Sequence, residues 1–107
     1  MTTFDDREKS FEKKFAHDQD LKFKAESRRN KMIGEWVAAK LGLTGSAMDD
    51  YVKSVRRADL AEKGDDDVVR KILKDLKDKG VSASEADVRR QMAEFLAKAV
   101  GEIEAGR

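Results

Sequence analysis

Residues 4–43 read FDDREKSFEKKFAHDQDLKFKAESRRNKMIGEWVAAKLGL. Phe4, Phe11 and Phe15 stand seven and four residues apart, so on a helix of about 3.6 residues per turn all three fall along one side. The stripe is narrow and the rest of that helix is charged, so the phenylalanines must bury against the remainder of the chain or against a partner. After a short joint around His17 and Asp18 comes a basic run, Lys22, Lys24, Arg28, Arg29 and Lys31, opposed there only by Glu26. Asp18 is a suitable N-cap, which predicts a helix from about Asp18 to Leu41 with Leu21, Ala25, Met32, Ile33, Trp36, Val37 and Leu41 facing inward. Gly34, lacking a side chain, marks a point of close approach by another helix.

The same spacing recurs downstream. Apolar residues repeat at three- and four-residue intervals in every segment, proline is absent and strand signals are missing, so the chain reads as all-α. Glycines supply the punctuation at Gly42, Gly45, Gly64, Gly80, Gly101 and Gly106. A second helix is predicted from Ser46, with Asp49 completing a capping box, to Lys63, burying Met48, Tyr51, Val52, Val55 and Ala58. A third runs from Asp65 to Lys79, acidic at its start and basic at its end, with Val68, Val69, Ile72, Leu73 and Leu76 inward. Ser82 and Glu85 form the box that opens a fourth, which buries Val88, Met92, Phe95, Leu96, Ala99, Val100 and Ile103. Short connections make neighbours antiparallel, hence a four-helix bundle or a closely related helical array over residues 19–107, preceded by an arm over 1–18.

Bulk properties exclude more than they select. The 107 residues suffice for one domain with a single core. With 23 basic and 22 acidic residues the net charge is +1, which gives no argument for nucleic acid. The lack of cysteine removes disulfides, thiol catalysis and cysteine-type zinc sites. A charged N-terminus and the absence of a long apolar run are those expected of an intracellular soluble protein without signal peptide or membrane span.

Little in the chain suggests catalysis. His17, flanked by Asp18 and Asp20, lacks the ligand set of a metal site, although an unperturbed imidazole there would titrate near about pH 6.5. Asp65, Asp66 and Asp67 lack the alternation and internal glycine of a calcium loop, and Gly42 to Gly45 lacks the lysine of a phosphate loop. No nucleophile and base stand out, so an enzyme is not expected, nor a cofactor. Lys24, Arg28 and Lys31 share a helical face and, with Trp36, make an alternative adenine-nucleotide-binding site, against the plainer reading of a solvated face and a core tryptophan. The arm, with Asp5 to Lys9 attractive but Glu8 to Glu12 and Lys9 to Lys13 repulsive, is a weak helix in isolation, helical or disordered according to what covers it. It either folds back on the bundle or enters a partner's groove.

In order along the chain, FDDRE, FEKKFAHD, FKA and RRNK resemble the N-terminal signature of the ζ subunit family of alphaproteobacterial F-type ATP synthases, once catalogued as a domain of unknown function. The resemblance implies a four-helix bundle whose arm inhibits ATP hydrolysis by the catalytic head, as a non-enzymatic regulator. It implies the α, β and γ subunits of that head as partners, a monomer when free, no membrane insertion, and a cytoplasmic place at the inner face of the cell membrane. In the arm, Phe4, Phe11 and Phe15 are then the apolar anchors that wedge into the α/β interface. Arg7, Glu8, Lys13 and Lys14 are the charged groups that pair at its entry.

Overall fold

A computed structural model describes residues 19–61 and 64–106 of the chain. Four helices form: α1, Gln19–Lys40; α2, Gly45–Ala61; α3, Asp66–Asp78; and α4, Glu85–Glu104. No strand occurs among the described residues, and the all-α prediction is met. Helix α1 is the hub, packed against α2 on one side and α4 on the other, while α3 closes the ring between α2 and α4 and also touches α1.

The apolar stripes meet where their spacing directs them. Ile33 and Val37 of α1, Val55 of α2, Val68, Val69, Ile72 and Leu76 of α3, and Val88 and Met92 of α4 form one buried cluster. A smaller cluster ties the start of α1 to the end of α4 through Ala25, Ala99 and Val100. Each buried valine, leucine or isoleucine contributes roughly 1.5–3 kcal/mol. At Gly34 the predicted close approach is present, since a Cβ built there would lie 3.1 Å from both Cα and Cγ2 of Val52.

Helix ends follow from backbone chemistry. Gly80, at φ +73°, terminates α3. Its N–H donates to the Lys77 carbonyl at 2.9 Å, and the Val81 N–H donates to the Leu76 carbonyl at 2.9 Å. This six-to-one pairing satisfies two orphan carbonyls and turns Val81 back against the core. Gly42 ends α1 in the same manner, with Leu43 donating to the Ala38 carbonyl at 2.9 Å. That geometry corrects the predicted start of α4. With Val81 docked in the core, the N-cap is Ser84, not Ser82, and its hydroxyl accepts from the Asp87 N–H at 3.1 Å. Helix α2 likewise begins a residue before Ser46, which therefore lies within its first turn instead of capping it.

Candidate functional site

The arm residues Phe4, Arg7, Glu8, Phe11, Lys13, Lys14 and Phe15, and the joint residue His17, lie outside the described residues. The second predicted group is described, and the structure does not assemble it. Lys24 and Lys31 are exposed on the outer side of α1. Arg28 is instead turned towards α4, its Nη1 3.4 Å from Glu102 Oε1. Trp36 stands about 120° around the helix from Lys24 at about 100° per residue. It packs against the main core, with the Lys40 ammonium 4.5 Å from its ring centroid.

What the bundle does assemble is a buried polar network at the level where α1 meets the end of α2 and the start of α3. Arg29 is 2% exposed and Asn30 3%. Arg29 donates from Nε and Nη2 to Asn30 Oδ1 at 3.2 and 3.0 Å. Its Nη1 reaches Asp65 Oδ1 at 3.0 Å, and Nη2 lies 3.7 Å from Asp59 Oδ1. Asn30 completes the circuit by donating Nδ2 to Asp59 Oδ2 at 2.8 Å. A buried guanidinium is tolerable only with this degree of pairing, because an unpartnered charge would neutralise or unfold its surroundings. The basic run in the sequence thus contained one cation that is not on the surface at all. Arg29 stands four residues from both Ala25 and Ile33, in the apolar stripe itself, and that position was the available signal.

Beside the network, Glu26 is half-buried and its carboxyl is pushed above the usual range. Desolvation is the main cause, offset in part by Arg29 and Lys22 and reinforced by the charges of Asp59 and Asp65. A cleft of about 270 Å³ opens next to it, lined by Arg29, Asp65 and Arg89 with Val69, Met92 and Leu96 beneath. Its mouth is bridged from α4 to α3 by Arg89, which donates to Asp66 Oδ1 at 2.9 Å and to Glu85 Oε1 at 3.4 Å. The Arg89 hydrogen bond holds the exposed Asp66 carboxyl below its ordinary range. Across the bundle, burial and then the hydrogen bond to Asp75, 2.8 Å away, push the Tyr51 phenol far up.

Chemically, the arrangement fastens helices together. Arg29 in the network and Arg89 at the mouth of the cleft are each matched by carboxylates. Among the described residues no three histidine, cysteine or carboxylate side chains are placed to hold a metal ion. No described helix is long and apolar enough to cross a membrane.

Comparison with known proteins supplies the identity that the bundle's interior does not. A solution NMR structure matches with a TM-score of 0.70 and 40% identity, covering 81% of this chain and 99% of the other. No match is found among curated proteins. The family model described as ATPase inhibitor subunit zeta matches residues 1–102. The chain therefore belongs to the ATPase inhibitor subunit zeta family.

Proposed function

We propose that this protein inhibits ATP hydrolysis by the F-type ATP synthase through residues 1–18, which enter the crevice between a catalytic β subunit and its α neighbour and reach the central γ shaft. The observation that carries this reading is the family match beginning at residue 1, so that the arm belongs to the family's common sequence together with the bundle. Phe4, Phe11 and Phe15, spaced for one helical face, are the apolar anchors in a groove. Arg7, Glu8, Lys13 and Lys14 pair with charged groups at its entry. A rotary enzyme opens and closes that crevice in each cycle, so a wedge there stops rotation without touching the bond being hydrolysed. Inhibition is steric and conformational, exerted at the inner face of the cell membrane, and the free protein is a monomer.

The bundle anchors the arm and keeps it from being drawn through. Its network at Arg29 ties α1 to α2 and α3 about 15 Å along the axis from the start of α1, which gives the arm a rigid base. ATP hydrolysis by a purified synthase head is the test, run with the full chain and with a version starting at Gln19. The full chain inhibits and the truncated one does not; equal inhibition by both would remove the arm from the mechanism.

A further inference from the structure

Apolar stripes that repeat at a single interval do not by themselves fix one register. In α1, Ala25, Ile33, Val37 and Leu41 stand on one row of four-residue steps, and the remaining place in that row is held by Arg29. Val68, Ile72 and Leu76 form the same kind of row in α3, and Val88, Met92, Leu96 and Val100 in α4. Rows at this interval are the ridges by which helices interlock, so a slide of one turn brings apolar side chains back onto apolar side chains. Such a slide would seat Val37 where Ile33 packs and Leu41 where Val37 packs. Cores tolerate exchanges of that size, so hydrophobic contact alone separates the two arrangements weakly.

Within each pair of consecutive helices the turn opposes a slide. Gly42 closes α1 onto α2 and Gly80 closes α3 onto α4, each beside a six-to-one backbone hydrogen bond. The first pair is set on the second by other means. Arg29 reaches Asp59 in the last turn of α2 and Asp65 directly before α3, on the two sides of the connection between the pairs. At 2% exposure its guanidinium is withdrawn from water and is tolerable only opposite those acceptors and Asn30. A slide of one turn, about 5 Å, takes it out of their reach and puts Ala25 or Ile33 against the carboxylates. Tyr51 to Asp75 at 2.8 Å and Arg28 to Glu102 at 3.4 Å also join the pairs. Those groups keep access to water, so a slipped arrangement leaves them hydrated and loses little.

We propose that the buried network of Arg29, Asn30, Asp59 and Asp65 is a register lock, which selects one docking of the α3–α4 pair on the α1–α2 pair and adds no net stability over an apolar filling of the same space. A misplaced apolar side chain stays buried among others, whereas a misplaced guanidinium is stranded without a partner. The lock therefore acts by penalising the slipped arrangements. Removing one member of the network is costly for the same reason, because the others are stranded, and replacing its buried members together is not. A single buried polar group fixes register in paired helices by the same logic.

The test compares the full chain with R29M/N30L/D59L, in which apolar side chains replace the three more deeply buried members while Asp65, 43% exposed, is left to water. Tyr51→Phe, which removes the partly exposed tie and leaves the network intact, is the control. Circular dichroism reads the melting temperature, and amide NMR spectra with binding of the dye ANS read whether one packed arrangement is present. The triple variant is expected to melt no lower than the parent chain, while the amide signals of α1 and α4 appear in more than one set and the dye binds. Tyr51→Phe is expected to give a single set. One set of signals in the triple variant, with Ala25 still close to Val100, overturns the lock. A melting temperature below the parent's, or failure to fold, overturns it as well, since the network would then be stabilising in its own right. More than one set in Tyr51→Phe also overturns it, because the buried network would not suffice to hold the register.

Discussion

Replacing Arg29 with methionine removes the guanidinium at the centre of the network while nearly conserving volume. Three groups lose a partner: Asn30 Oδ1, which accepts two hydrogen bonds from Arg29, and the carboxylates of Asp59 and Asp65. Breaking a fully buried pair costs about 3–5 kcal/mol, chiefly because a charge is left stranded. Here the side chains left behind keep some access to water, 17% for Asp59 and 43% for Asp65, whereas Asn30 keeps almost none. The loss should therefore fall to about 2–3 kcal/mol, of which the buried amide oxygen supplies about 1–2. For a domain of this size that corresponds to a melting temperature lower by roughly 10–15 °C. Urea unfolding followed by circular dichroism reads the effect as a lower midpoint at unchanged slope. Restoring about 1 kcal/mol of the loss in the R29M/D59N double variant shows that the stranded Asp59 carboxylate carries that share, the remainder belonging to Asn30 Oδ1. A loss below about 1 kcal/mol in R29M refutes the reasoning, since it would mean that the network contributes no more than a surface pair.

Three further outcomes follow from the geometry. Gly34→Ala must push the Val52 backbone away from a contact of 3.1 Å and destabilises by about 1 kcal/mol in thermal unfolding, although Gly101→Ala, with open space around it, stabilises α4 by about 0.5–1 kcal/mol. Ser84→Ala removes the cap of α4 and costs about 1 kcal/mol in the same assay, whereas Ser82→Ala leaves stability within about 0.5 kcal/mol. Tyr51, the chain's single tyrosine, holds its proton in the folded state beyond the pH where an unfolded tyrosine loses it. The unfolded state then binds fewer protons, so stability falls as pH rises above about 10, and phenolate absorbance should appear only together with unfolding.

Much of the fold could be read from spacing alone, and the exceptions have local causes. Stripes such as Val68, Val69, Ile72 and Leu76 admit one face and one partner, the core, and they are buried as read. The cap of α4 was ambiguous because Ser82 and Ser84 are each followed three residues later by an acid, Glu85 and Asp87. Docking of Val81 after the Gly80 turn decides between them, and that is a tertiary contact. Arg29 looked like one more cation in a basic run because its partners, Asp59 and Asp65, lie some thirty residues away in the sequence. Yet Arg29, Asn30 and Asp59 all occupy positions of otherwise apolar stripes, and three polar residues so placed are the mark of a buried network. The grouping of Lys24, Arg28, Lys31 and Trp36 is spread around α1 in the structure. Three of them share a face in the sequence, but Arg28 leans to Glu102 and Trp36 belongs to the core side. The inhibitory role was legible only through resemblance to a family, because physical pattern says that the arm's phenylalanines need a cover and does not say whose.

Phe4, Phe11 and Phe15 are the proposed anchors of inhibition, and everything else in the mechanism depends on that role. It is tested most directly by titrating the F-type ATP synthase head with the full chain carrying Phe4→Ala, Phe11→Ala and Phe15→Ala together, reading steady-state ATP hydrolysis. Hydrolysis is expected to continue at the uninhibited rate while the melting temperature stays that of the parent chain. Inhibition equal to the parent's, at the same concentrations, would contradict it.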